Sequence, residues 1–238
     1  MIRIISVLFL CACTASAQPM FCHSRSWWPQ DAGAKAVYDA RNMGTAKSSG
    51  DTSYLWRDLA GNYPMYAYSS TKKGIVTDSS GYRFVKCPAG DNYYYTTSSQ
   101  VTSDGTNFTF AAYVRFLTRI AYGGCGGIGN TAGGGRMNLS SSGTTRALTL
   151  QGKAELGDGA STLNWEAIIC THSSSTNVMY VNGSSNALSA SSANNPTGGM
   201  YVGPDYVDKK NNLARFVFYD KVPSAYEITL LNAWLRQN

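Results

Sequence analysis

The chain has 238 residues, 43% of them hydrophobic and 12% aromatic but only 14% charged, with 24 glycines and 16 tyrosines. Its 20 Lys and Arg exceed 14 Asp and Glu by a formal +6. The basic residues are scattered, only Lys72-Lys73 and Lys209-Lys210 being adjacent. This composition excludes a disordered chain and a coiled coil, and the lack of a basic stripe argues against a nucleic-acid partner.

At the N-terminus, one positive charge at Arg3 precedes the apolar run Ile4 to Cys13, which closes on Ala15-Ser16-Ala17 before Gln18. That is the layout of a secretory leader with a small-residue cleavage site, so residues 1–17 are expected to leave and the mature domain to run over 18–238. Lipidation at Cys13 is the alternative, since Leu10-Cys11-Ala12-Cys13 loosely resembles a lipobox. The run is shorter than the roughly 20 residues a transmembrane helix needs, and no later segment is apolar enough to span, so no transmembrane anchor is expected.

Four cysteines then remain, Cys22, Cys87, Cys125 and Cys170. An oxidising compartment favours two disulfides, and four cysteines allow three pairings. Cys22 with Cys87 and Cys125 with Cys170 is preferred, because strands distant in sequence often lie side by side in a sandwich. No Cys-x-x-Cys pair survives cleavage and the only histidines are His23 and His172, so a structural zinc site is not expected.

Along the mature chain, short strand-like stretches alternate with Gly, Ser, Asn and Asp. The clearest is Phe108 to Phe116, in which Phe108, Phe110, Ala112, Val114 and Phe116 fall on one face at period two. Trp165 to Thr171, a turn over Ser173 to Asn177, and Val178 to Gly183 read as a hairpin. Arg119 to Tyr122, Arg146 to Gln151, Met200 to Gly203 and Leu213 to Tyr219 are further strands, the last apolar enough to be buried on both faces. The glycine-rich Gly123 to Gly135 and the Ser/Asn/Ala-rich Ser184 to Asn195 read as loops. At the C-terminus, Ser224 with Glu227 three residues on forms a capping box, and Ile228, Leu231 and Leu235, with Trp234 alongside, give one apolar stripe. A single helix is expected there, lying against an all-β, two-sheet antiparallel sandwich.

Four segments in this order resemble the laminin G-like domains of the concanavalin A-like lectin/glucanase superfamily. Tyr38-Asp39-Ala40 and Leu55-Trp56-Arg57-Asp58-Leu59-Ala60-Gly61-Asn62 look like the family's opening strand and turn. Phe108 to Phe116 looks like its central strand. Trp165 to His172 with Met179-Tyr180-Val181-Asn182-Gly183 looks like its hairpin, and Phe216 to Asp220 followed by Pro223 to Ile228 looks like its last strand and closing helix. The resemblance implies a jelly roll of two curved sheets, and it implies fold better than activity, because the architecture carries lectins, adhesion modules, glycosidases and lyases alike.

A glycosidase needs two carboxylates about 5 to 9 Å apart across the scissile bond. No compact Glu-x-Asp-x-x-Glu strand exists here. Glu155 and Asp158 read as a solvated turn through Leu156-Gly157-Asp158-Gly159, and Glu166 has no acidic partner expected on its face. Gly124-Cys125-Gly126-Gly127-Ile128-Gly129 matches a dinucleotide fingerprint in letters only, since no helix follows it. No catalytic residue is assigned and the chain reads as a non-enzyme.

For binding, aromatic residues that can stack on a sugar face and loop acids that can take its hydroxyls are the informative ones. Trp27-Trp28 lies near the N-terminus. Asp91, Tyr93, Tyr95, Asp158, Trp165 and Tyr206 are the candidate ligand-binding residues, and Tyr93 and Tyr94 cannot share a face. Calcium at loop acids such as Asp91, Asp158, Asp205 and Asp208 is a minor alternative, with no cofactor otherwise expected. The functional expectation is a secreted, non-catalytic module that recognises carbohydrate or another surface polymer. The competing readings are a structural subunit of an extracellular filament or virion-associated assembly, alone or as a homo-oligomer, and a diverged polysaccharide hydrolase or lyase.

Overall fold

The computed structural model describes residues 26–44, 46, 48–79, 81–87, 94–96, 106–119, 124–128, 135–139, 143–150, 154–174, 176–188, 198–203 and 211–237. In chain order its strands are β1 (Ala36–Asp39), β2 (Thr52–Ser53), β3 (Leu55–Trp56), β4 (Met65–Ala67), β5 (Gly74–Ser79) and β6 (Tyr82–Cys87). There follow β7 (Tyr94–Thr96), β8 (Phe108–Phe116), β9 (Gly124–Ile128), β10 (Gly135–Leu139), β11 (Thr145–Leu150) and β12 (Ala154–Ala160). The last are β13 (Glu166–His172), β14 (Asn177–Val181), β15 (Ser184–Leu188), β16 (Met200–Val202) and β17 (Asn211–Tyr219), then the helix α1 (Ala225–Leu235).

The strands form two antiparallel sheets. The first runs β15-β14-β13-β8-β17-β6-β5-β2, with β1 pairing β17 beyond the end of β6. The second runs β12-β11-β10-β9-β16-β7-β4-β3. Alternation along β8 sends Phe108, Phe110, Ala112, Val114 and Phe116 into the core between the sheets, as the period-two row predicts. There they meet Phe216 and Phe218 of β17 and, from the second sheet, Trp56, Met65, Tyr94, Met137, Leu148 and Leu150. Each such side chain contributes about 1.5 to 3 kcal/mol by leaving water.

The opposite face of the first sheet is covered as well. Ala111 of β8 and Val217 and Tyr219 of β17 pack under Ile228, Leu231, Trp234 and Leu235 of α1. All nine residues of β17 are buried, as its apolar run predicts. The helix begins at the expected capping box: the Ser224 N–H donates to Glu227 Oε2 at 2.6 Å, and the Glu227 N–H donates to Ser224 Oγ at 3.3 Å. Trp28 lies 6.0 Å from Trp234, so the Trp27-Trp28 pair is part of the packing around the helix.

The turn after β3 is organised by one carboxylate. Asp58 Oδ1 accepts from the N–H of Val37 and Ala60 at 2.8 and 2.9 Å, and Oδ2 accepts from Asn62 and Tyr63 at 2.9 Å each. Four backbone donors, one of them in β1, are thereby paired.

Several expectations need correction. Gly124–Ile128 is a buried strand and not a loop. Gly126 is required by close approach: a Cβ there would lie 2.4 Å from Cε2 of Phe216. Ser184–Leu188 and Ala154–Ala160 are also strands, so Asp158 stands in β12 and not in a solvated turn. The expected Cys125–Cys170 disulfide is absent. Cys125 sits in the second sheet and Cys170 in the first, both are buried thiols, and Cys125 Sγ donates to the carbonyl of Met137 at 3.3 Å. Cys87 is likewise a buried thiol, and its expected partner Cys22 lies outside the described residues, as do residues 1–17, expected to be a leader and including Cys13, and most of Arg119 to Tyr122.

Candidate functional site

The structure separates the candidate residues. Asp91, Tyr93 and Tyr206 lie outside the described residues. Trp165 is on the outer face of the first sheet, half-buried and stacked on Tyr113 at 5.0 Å and 25°, with Phe84 edge-on at 5.3 Å. Asp158 is on β12, an outermost strand of the second sheet. Tyr95 is on the outer face of that sheet. These three belong to three different surfaces, and sequence reasoning had no means of telling them apart without the register.

Tyr95 stands in a row of tyrosines. Its neighbour Tyr94 points inward and is fully buried, its hydroxyl donating to Ser53 O at 2.7 Å and accepting from Gly74 N at 3.0 Å. Burial pushes that phenol well above the usual tyrosine range. Alternation therefore turns Tyr95 outward, where it is 36% exposed. Directly opposite it stand Tyr66 of β4 on one side and Tyr201 of β16 on the other. Tyr54 packs on Tyr66 at 5.7 Å and 50°, and Tyr54 and Tyr68 are 45% and 53% exposed. Strands lie about 4.8 Å apart, so the Tyr66-Tyr95-Tyr201 row spans roughly 10 Å across the sheet.

The register continues the row. Gly127 stands opposite Tyr201, Arg136 opposite Gly127, Thr149 opposite Arg136 and Glu155 opposite Thr149. In register, then, tyrosine positions are followed across the sheet by a glycine, an arginine, a threonine and a glutamate position. Tyr54, Tyr66 and Tyr201 escape a linear reading because each has a different neighbour in sequence. Only pairing brings them together.

A second polar cluster sits at one mouth of the sandwich. Glu166 of β13 is buried; Oε1 accepts from Arg146 Nη1 at 2.9 Å and from Thr162 N and Oγ1 at 3.1 and 3.0 Å, and Oε2 accepts from Ser161 Oγ at 3.2 Å. Arg146 also approaches Asp158 at 3.9 Å, and Asp158 Oδ1 accepts from Asn186 Nδ2 of β15 at 2.7 Å. Glu166 thus has an acidic neighbour across Arg146, contrary to expectation. The cluster lines a cavity of about 450 Å³. Oε1 accepts three of these bonds and Oε2 one, an arrangement that ties β11 and the turn over 161–162 to β13.

His172, the one histidine among the described residues, is buried with Nδ1 2.6 Å from Asn177 Oδ1 and its ring 4.8 Å from that of Phe108. Its Nε2 is buried and makes no hydrogen bond to a described residue. Among the described residues no group of three or more His, Cys, Asp or Glu is arranged to hold a metal ion, and no helix is long and apolar enough to cross a membrane.

No family model matches the sequence, and no curated relative does. Solved structures share its fold. The binding domain of botulinum neurotoxin serotype G superposes with a TM-score of 0.62 at 13% identity, covering 84% of this chain and 51% of that one. The ligand binding domain of botulinum neurotoxin serotype D, in complex with N-acetylneuraminic acid, gives 0.62 at 11% identity over 86% and 51%. A Trypanosoma rangeli sialidase in complex with sialic acid gives 0.56 at 13% over 83% and 32%. The chain thus spans between about a third and a half of the length of these solved chains. At such identities the likeness is one of fold.

Proposed function

We propose that this chain is a non-catalytic carbohydrate-binding domain of the laminin G-like type, exported by its leader, and that it holds sugar on the outer face of the second sheet. The observation that carries the reading is the cross-strand row Tyr66-Tyr95-Tyr201, flanked by Tyr54 and Tyr68. Tyr201 is buried at 5% exposure and backs the row, while Tyr95, Tyr54 and Tyr68 with half-buried Tyr66 offer flat apolar faces to pyranose rings and hydroxyls to their edges. Two of the similar solved structures, one a neurotoxin ligand binding domain and one a sialidase, are described as complexes with sialic acids, which supports carbohydrate as the ligand class.

The test is a glycan array followed by calorimetry on any hit with Tyr95→Ala and Tyr66→Ala. Loss of one stacking ring removes about 1.5 kcal/mol, or roughly tenfold in affinity. Absence of binding to every saccharide on the array, or binding that ignores both substitutions, overturns the reading.

The sialidase likeness favours a second reading, a hydrolase. Glu166 and Asp158 are its natural acids, and the Arg146 guanidinium set between them, 2.9 Å from Glu166 and 3.9 Å from Asp158, favours an ion-paired structural role. Incubation with sialylated and neutral polysaccharides, assayed for released reducing sugar, decides between the two.

A further inference from the structure

The outer face of the first sheet carries a separate basic pocket beside the end of α1. At its floor Asp39, 1% exposed, lies between two guanidiniums. Arg41 donates to it through Nε at 2.9 and 3.0 Å and Nη2 at 2.5 Å, and Arg215 donates through Nε at 2.9 Å. Arg215 Nη1 is taken by three carbonyls at the helix end, those of Trp234, Leu235 and Gln237, at 2.8, 2.8 and 2.6 Å.

Two donor groups are left over. Arg41 Nη1 makes no hydrogen bond to a described residue, and Arg41 keeps 43% of its side chain exposed. Arg215 is only 4% exposed, with its guanidinium carbon 5.0 Å from the Trp234 ring, yet its Nη2 makes no hydrogen bond to a described residue and is not among the sealed, unpartnered atoms. Both arginines line one cavity of about 580 Å³, together with Ser79, Gly81, Tyr82 and Arg83. Arg83 is matched by Asp78 at 2.8 Å. Arg41 and Arg215 share a single carboxylate, so the floor of the pocket keeps one positive charge in excess. The helix carbonyls offset it only with partial charges.

The wall of the pocket is aromatic. Tyr82 lies 5.4 Å from Tyr113 and 6.2 Å from Trp165, the edge of the stack described above. A cavity of this size exceeds what a bare carboxylate fills, and its combination of a forked cationic floor with an aromatic side suits an anion attached to a ring.

We propose that this pocket binds the carboxylate of a uronate-type sugar residue, with Arg41 Nη1 and Arg215 Nη2 as its donors and Tyr82 against the ring. The choice of a sugar rests on the carbohydrate reading above, but the site is a different face of the molecule.

The experiment titrates sodium glucuronate, glucose and sodium acetate into the 15N-labelled full chain, following side-chain Nε–H signals of arginine and the dissociation constant. Glucuronate is expected to bind at least tenfold tighter than either glucose or acetate, to shift the Arg41 and Arg215 signals, and to weaken as salt rises. Arg41→Gln is expected to weaken it at least tenfold and Arg41→Lys by less, since lysine keeps the charge but not the fork. Thermal unfolding of both variants verifies that they fold, and the signal shifts in the unsubstituted protein stand whether they do or not. No saturable binding, acetate binding as tightly as glucuronate, or an Arg41→Gln variant with unchanged affinity overturns the proposal. If a neutral glycan still binds in a Tyr95-dependent manner, only the pocket falls and the tyrosine face stands.

Discussion

Asp39 and Arg215, 176 positions apart in the chain, are cross-strand partners at one end of the β1–β17 ladder and meet at 2.9 Å with both side chains almost wholly out of water. Through Arg215 this pair also ties the last carbonyls of α1 to the sheet. Burying a charge without its partner is far costlier than burying the pair. Asp39→Ala is therefore expected to destabilise the fold by about 3 to 5 kcal/mol, read as a drop in urea midpoint. A loss under about 1 kcal/mol would show that Arg41 and the helix carbonyls suffice to hold Arg215.

The same carboxylate makes a pH prediction. Burial pushes the Asp39 carboxyl up, but the Arg41 and Arg215 guanidiniums outweigh it and hold it below the usual carboxylate range. A group depressed by folding contributes in full above its unfolded value of about 3.9 and loses that contribution as pH falls through its folded value. The stability difference between the unsubstituted protein and Asp39→Asn is expected to be flat from pH 7 to 5 and to shrink only below about pH 4. Denaturant titrations across that range measure it, and a difference that shrinks above pH 5 contradicts it.

Asp58 accepts four backbone N–H groups with two oxygens. Asp58→Asn turns one oxygen into a donor aimed at donors, so it is expected to cost nearly as much as Asp58→Ala, about 3 kcal/mol each. Equilibrium unfolding of the two variants checks this; full retention of stability by the asparagine would mean that only the Val37 and Ala60 contacts matter.

Gly126 faces the Phe216 ring across the core at a distance no methyl can share. Gly126→Ala is expected to overpack the interior and cost about 1 to 3 kcal/mol. Combining it with Phe216→Leu, which vacates the ring, should cost less than the sum of the two single changes. Additive losses in thermal unfolding would place the strain elsewhere.

Cys87 and Cys170 are buried among apolar side chains, and burial pushes the Cys87 thiol up to about 12 and the Cys170 thiol higher still. Thiolate is the reactive form, so neither is expected to react with a thiol reagent at pH 8 until the protein is denatured. Mass spectrometry of alkylated, folded protein reads the outcome directly, and alkylation of either residue before unfolding would show that the core opens.

The parts of the fold legible in the sequence are those in which one residue type repeats with a clear period. Phe108 to Phe116 announces its inward row, and Ser224 with Glu227 announces the helix start. Gly124 to Ile128 misleads because glycine usually marks a turn, while here it makes room for Phe216, a neighbour 90 positions on that no local pattern reveals. Asp158, set between two glycines, misleads for the same reason. In the candidate site, the opposition of Tyr94 and Tyr95 follows from alternation alone. The companionship of Tyr66 and Tyr201 depends on register, and register is a property of paired strands. Arg215 is hidden inside an apolar run, and nothing near it in sequence names Asp39 as its partner.

The bond from Asn186 to Asp158 joins the outermost strand of one sheet to the outermost strand of the other. At the far side of the sandwich, the outermost strands β2 and β3 are two residues each. Among the described strands, then, one flank is stapled and the other is too short to recruit a foreign strand. Edge-to-edge pairing between copies is thereby discouraged at that short flank.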